Sequence, residues 1–141
     1  MSRVIDLVTL LAYSFTEDSF HQSAENFFDW AEKEKIELMV IETVILEAEA
    51  VYLAEKIPVS SEEWIAFIDD IFSSPILNRV MLDKTIFREH LELYRGWKKG
   101  QFSYFDSFHG ALAKVREIPL VTTDKMLLND SSIPTEDLRK F

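Results

Sequence analysis

Short apolar runs alternate with longer segments of helical periodicity along nearly the whole chain, and no other feature restricts the fold as much. Arg3 to Leu7, Glu37 to Ile41, Val80 to Leu82 and Pro119 to Thr123 have the length and apolar content of buried strands. Helical spacing appears around Leu10, Leu11 and Tyr13, and again from Ser19 to about Glu34, where Phe20, Ala24, Phe27, Phe28 and Ala31 share one face. Glu42 to Lys56 reads as an apolar helix stopped by Pro58. Ser60 and Glu63 form a capping box that opens a helix through about Phe72. Asp83 to about Lys98 forms another, closed by Gly100, and Ser103 to about Glu117 the next, with a short helical turn after Asp124. Strands that take turns with helices argue for an α/β fold with a parallel sheet covered on both faces. Residues 129–141 read as loop or as a final edge strand, and the 141 residues, without a linker or repeat, read as one domain over 1–141.

Two of the apolar runs end on a carboxylate. Val4-Ile5 leads into Asp6, and Leu120-Val-Thr-Thr leads into Asp124. A parallel strand that finishes on Asp delivers that side chain to the sheet's carboxyl edge, where open α/β sheets keep their sites. Glu47 adds a third acid. Glu42, Glu49 and Lys56 lie on one charged stripe of the 42–56 helix, read as its solvent face, whereas Glu47 falls among Thr43, Ala50 and Ala54. An acid among small residues on a largely buried helix is costly unless a cation or a base pairs with it. Asp106 is the fourth. It lies opposite the stripe Phe105, Phe108, Leu112 and Val115, in a row with Gly110 and Ala113 that would admit a neighbouring backbone. His90 and His109 read as hydrogen-bonding groups at the edge of the core rather than as ligands.

Composition narrows the chemistry. Cysteine is absent, which removes disulfides, thiolate metal sites and cysteine nucleophiles, and only three His and three Gly occur. A metal would therefore be a hard cation held by oxygen. No glycine-rich phosphate loop and no Ser-His-Asp order is present. No run of ~18 apolar residues could span a membrane, and no signal peptide opens the chain, so a cytoplasmic protein is expected. The net charge of −10 argues against nucleic acid, but its distribution does not. Lys84 to Lys125 carries eight bases against five acids, a local +3 beside an acidic pocket, as a phosphodiester substrate would require.

Four strings together resemble the acidic motifs of PIN domains: Ile5-Asp6-Leu-Val-Thr-Leu-Leu-Ala-Tyr13, Val44-Ile-Leu-Glu47, Tyr104-Phe-Asp106-Ser-Phe-His-Gly-Ala-Leu-Ala113 and Leu120-Val-Thr-Thr-Asp-Lys125. They occur in that family's order over residues 5–125. The resemblance implies a three-layer fold with a central parallel sheet of about five strands. It implies a Mg²⁺- or Mn²⁺-dependent ribonuclease acting on single-stranded RNA, as in the VapC-type toxins that pair with an antitoxin protein. Asp6, Glu47, Asp106 and Asp124 match the family's metal-site and catalytic acids, and Thr122 matches the hydroxyl two residues before the last Asp. Lys98, Lys99 and Lys125 are the candidates to hold the RNA backbone. The chain departs from the family at Val8, where a small polar residue is usual and where the adjacent Thr9, the nearest supporting hydroxyl, would point elsewhere on a helix, and at Ile41, where Ser is common. Both changes remove hydrogen bonds that orient ligands, so the alternative is a weak or inactive PIN-like module that binds RNA or protein. The family also implies a homodimer. Helices of the 42–72 region are expected at its interface: Trp64, Phe67 and Phe72 on one helix and Tyr94 and Trp97 on another are aromatics to spare, with Trp64 and Trp97 expected near the surface.

Overall fold

The computed structural model describes residues 1–96 and 103–141. Five strands form one sheet: Ser2–Ile5 (β1), Glu37–Ile41 (β2), Leu77–Val80 (β3), Leu120–Thr122 (β4) and Thr135–Asp137 (β5), in the order β3-β2-β1-β4-β5. Every neighbouring pair is parallel, with Val4 opposite both Met39 and Leu120. Parallel pairing requires a crossover between strands, and helices supply it. They are Leu7–Ser14 (α1), His21–Lys33 (α2), Val44–Leu53 (α3), Ser61–Ser73 (α4), Lys84–Gly96 (α5), Asp106–Arg116 (α6) and Lys125–Asn129 (α7).

The period-2 alternation of the strands builds two cores. Ile5, Leu38, Val40 and Val121 face one way, onto Leu10, Phe27, Ala48, Trp64 and Phe67 from α1 to α4. Val4, Met39, Ile41, Val80 and Leu120 face the other way, onto Ile86, Leu93, Phe108, Leu112 and Leu127 from α5 to α7. Both faces of the central strands are covered where they are buried, which is why Val4-Ile5, Leu38 to Ile41 and Leu120-Val121 read as apolar runs. α4 starts as its capping box predicts, with Ser60 accepting from the Glu63 amide at 3.2 Å. Lys35, Glu55 and Glu117 close helices in the left-handed region at φ 55°, 55° and 54°, a conformation usually left to glycine.

Several expectations need correction. Trp64 is only 3% exposed, stacked on Tyr52 with centroids 4.8 Å apart, because the first turn of α4 lies against α3 rather than in solvent. Glu42 does not join a solvent stripe: α3 begins after it, and its Oε1 accepts from the Leu82 amide at 2.9 Å. β3 starts earlier than expected, since exposed Asn78 and Arg79 hide an edge strand from a search for apolar runs. Within 129–141, Thr135–Asp137 is the edge strand rather than loop. Trp97, Lys98 and Gly100, expected at the end of α5, lie outside the described residues.

Candidate functional site

Because every strand of the sheet runs the same way, the residues that follow β1, β2 and β4 emerge at one edge. Asp6 follows β1 directly and caps α1, and the residue is only 2% exposed. Both of its oxygens are held. Oδ1 accepts from the Thr9 amide at 2.9 Å, and Oδ2 accepts from the Thr122 hydroxyl. The Thr122 oxygen also accepts from the Asp124 amide at 3.0 Å, so one hydroxyl links the two strand-end aspartates. Asp124 in turn caps α7, accepting at Oδ1 from the Met126 and Leu127 amides at 2.8 and 3.1 Å. Burial pushes the Asp6 carboxyl above the usual range, opposed by the His109 charge and by the Thr122 and Thr9 bonds.

The Val8 departure is answered partly by its neighbour. Val8 is exposed on α1, while Thr9 is fully buried and turned inward, its hydroxyl donating to the Val121 carbonyl at 3.0 Å. Thr9 therefore ties α1 to β4 and supports Asp6 through its amide. Ile41, the other departure, is a core residue of β2.

Glu47 lies in the first turn of α3 and is buried, and its Oε2 receives a hydrogen bond of 2.8 Å from His109 Nε2. His109 is 0% exposed, because α6 is buried on all sides from Ser107 to Ala113. Burial alone would lower the imidazole's pKa, but the charge and hydrogen bond of Glu47, with Asp6 and Asp106 behind it, raise it to about 9. An imidazolium thus sits among the acids at neutral pH. The small residue Gly110 serves a different purpose from the one its row suggested. A side chain there would meet Ile133 Cδ1 at 2.9 Å, with Leu93 and Leu127 next, so it admits apolar side chains rather than a backbone.

Asp106 opens α6, its amide bonded to Ser103 Oγ at 3.1 Å. Burial and then the Glu47 charge raise its carboxyl to about 6, with Asp124 adding to the rise and His109 opposing it. Asp106 thus feels Glu47 and Asp124, and His109 feels Glu47, Asp6 and Asp106. The four acids form one electrostatic unit. Lys125, directly after Asp124, is exposed at the start of α7; Lys98 and Lys99 lie outside the described residues.

Mutual repulsion and a donor set of carboxylate oxygens suit a hard divalent cation. Among the described residues, no three acidic or histidine side chains already converge as a ligand cage. An ion that keeps several waters, as Mg²⁺ does, needs only one or two direct carboxylates, and among the described residues the Glu47 carboxylate is bonded by His109 alone, at Oε2. The residues fit such an ion. Sequence reasoning underrated His109. Its signal was its place three residues after Asp106, which sets both side chains on neighbouring positions of one helix.

The family model described as "PIN domain" matches residues 10–129, a span that begins just after Asp6. No curated protein matches the sequence. Among solved structures, VapC20 of Mycobacterium tuberculosis, described as a sarcin-ricin loop cleaving toxin, superposes with a TM-score of 0.67 at 16% identity, covering 84% of this chain and 86% of its own. VapBC2 of Rickettsia felis, bound to a promoter DNA fragment, gives 0.69 at 14% identity over 97% and 98%. VapBC-5 of Mycobacterium tuberculosis, from a family of toxin–antitoxin systems, gives 0.57 at 13% identity over 96% of each chain. At these identities the superpositions establish the fold.

Proposed function

Since this chain belongs to the PIN domain family, we propose that it is a metal-dependent endoribonuclease that cuts single-stranded RNA, and that it is the toxin of a toxin–antitoxin pair. The observation that carries the reading is the gathering of Asp6, Glu47, Asp106 and Asp124 at one sheet edge, where burial and then the charge of Glu47 push Asp106 to about 6. The structural likeness to a toxin that cleaves RNA and to a toxin–antitoxin system adds to it.

Asp106 and Asp6 would hold a Mg²⁺ or Mn²⁺ ion, with Glu47 and Asp124 bound directly or through water. A divalent ion there supplies an activated water for in-line attack on phosphorus and offsets charge on the phosphate. Thr122 and Thr9 keep Asp6 in one orientation, so that its carboxylate spends no conformational entropy when it takes up a ligand. Lys125, exposed next to Asp124, is placed to meet a phosphate of the RNA backbone, and Lys98 and Lys99 would extend that contact.

The proposed partners are RNA, an antitoxin protein and a second copy of the chain, with 1–141 acting as one unit in the cytoplasm. No helix among the described residues is long and apolar enough to cross a membrane. A homodimer is supported by apolar side chains left in solvent on α3 and α4: Leu46 is 64% exposed, Leu53 72% and Ile65 60%. Trp64 is no longer among them. The test of the activity is cleavage of single-stranded RNA with Mg²⁺ or Mn²⁺ by the wild type, Asp6→Asn and Asp106→Asn. Loss of cleavage in both variants is expected, and undiminished activity in both would overturn the assignment.

A further inference from the structure

We propose that His109 is a positioning residue that fixes Glu47 in the pocket and decides which of its oxygens faces the proposed metal. This rests on the metal-site reading above and goes beyond it. A glutamate has three side-chain torsions, and one placed among Asp6, Asp106 and Asp124 is repelled toward solvent. Glu47 nevertheless stays buried, and the only protein donor bonded to its carboxylate among the described residues is His109 Nε2, at 2.8 Å. His109 is itself immobile: it is fully buried in a helix whose residues from Ser107 to Ala113 are all inside the protein. The donor is therefore fixed before Glu47 arrives. Oε2 is engaged, and Oε1 carries no bond from the described residues.

Two features argue against other roles for this imidazole. Its full burial and its engaged Nε2 keep it from substrate, so it is not a proton-transfer group for the reaction. Its Nδ1 has no hydrogen-bond partner among the described residues, although a buried ring nitrogen usually has one. The ring thus leaves one polar atom unsatisfied while the other holds Glu47, which a residue kept only for packing would not require. Three of the four acids then have an orienting group: Thr9 and Thr122 for Asp6, the α7 amides for Asp124, and His109 for Glu47.

The experiment is Mn²⁺ binding followed by electron paramagnetic resonance of the free ion, with circular dichroism to confirm folding. His109→Asn keeps a polar amide but is too short to reach Glu47, whereas His109→Gln places its amide nitrogen near the original Nε2. Losing a group that orients a ligand typically weakens metal binding about 10–100-fold, and His109→Asn is expected to do so while His109→Gln keeps most of the affinity. In a Glu47→Gln background, His109→Asn should change the affinity no further. Equal affinity in wild type and His109→Asn overturns the inference alone. So do equal losses with Asn and Gln, or losses that simply add to that of Glu47→Gln. If His109→Asn does not fold, His109→Phe, which fills the ring's space without a donor, takes its place with the same expected loss, and failure of both to fold assigns His109 to stability and ends the proposal. A wild type that binds no Mn²⁺ overturns the metal-site reading and this inference together.

Discussion

Replacing Asp106 with Asn should make the metal-free protein more stable while abolishing its activity. Asp106 is half-buried, and burial with the charges of Glu47 and Asp124 raises its carboxyl from 3.8 to about 6. The folded state therefore resists ionising it. That cost begins as pH rises through 3.8 and is complete above about 6. Two units correspond to roughly 3 kcal/mol at 1.36 kcal/mol per unit. Solvent at the exposed part of the carboxylate screens some of this, and Asn gives up about 0.3–1 kcal/mol of favourable interaction with the α6 N-terminus. A net gain of about 1–2 kcal/mol remains, or roughly 3–6 °C in melting temperature for a chain of this size. The assay is thermal unfolding of both proteins in a chelator at pH 7.5 and at pH 3. The difference should appear at pH 7.5 and vanish at pH 3, where the wild-type carboxyl is protonated. With Mn²⁺ the order should reverse, because ligand at 100 times its dissociation constant stabilises the wild type by about 2.7 kcal/mol. An Asp106→Asn variant no more stable than wild type in chelator at pH 7.5, or equally stabilised at both pH values, would refute the repulsion on which the site rests.

Thr122→Val keeps the shape of the side chain but removes the donor to Asp6 and the acceptor for the Asp124 amide, and should cost about 2 kcal/mol or more in urea unfolding, since bonds to charged groups contribute about 1.5–3 kcal/mol. His90 is fully buried against Phe108, and burial lowers its pKa, so its contribution is intact above 6.5 and is lost as pH falls below that value. The stability difference between wild type and His90→Phe should accordingly shift against the wild type between pH 7 and pH 5, as read from urea midpoints. Light scattering at micromolar concentration should give about twice the chain mass of 16.5 kDa, and Leu53→Glu, at the most exposed of the α3 apolar positions, should return it to the single-chain value.

The architecture was legible because it depends on signals that are local. Val4-Ile5 of β1, Leu38 to Ile41 of β2 and Leu120-Val121 of β4 are buried on both faces and so read as apolar runs, and the capping box at Ser60 opens α4 where the pattern places it. Edge strands lack this signal. β3 exposes Asn78 and Arg79, and β5 consists of Thr135, Glu136 and Asp137, none of which reads as apolar. Acidic neighbours in sequence are not neighbours in space at Trp64: on a helix Glu62 and Glu63 point away from the side that Trp64 turns to Tyr52. At the site, Asp6 and Asp124 were legible as strand ends, and Asp106 as a helix start. Their connections were not. The Thr122–Asp6 bond spans 116 positions and the His109–Glu47 bond 62, distances over which no periodicity carries information.

The claim that most needs testing is that the carboxylates at this sheet edge take up a divalent cation. Anomalous scattering from a crystal soaked in Mn²⁺ measures it directly. The account predicts a peak bonded to Asp106 and to at least one of Asp6, Glu47 and Asp124, and absent from crystals of Asp106→Asn. A pocket that stays without a peak at saturating Mn²⁺, or a peak that survives the Asp106→Asn substitution unchanged, would contradict it.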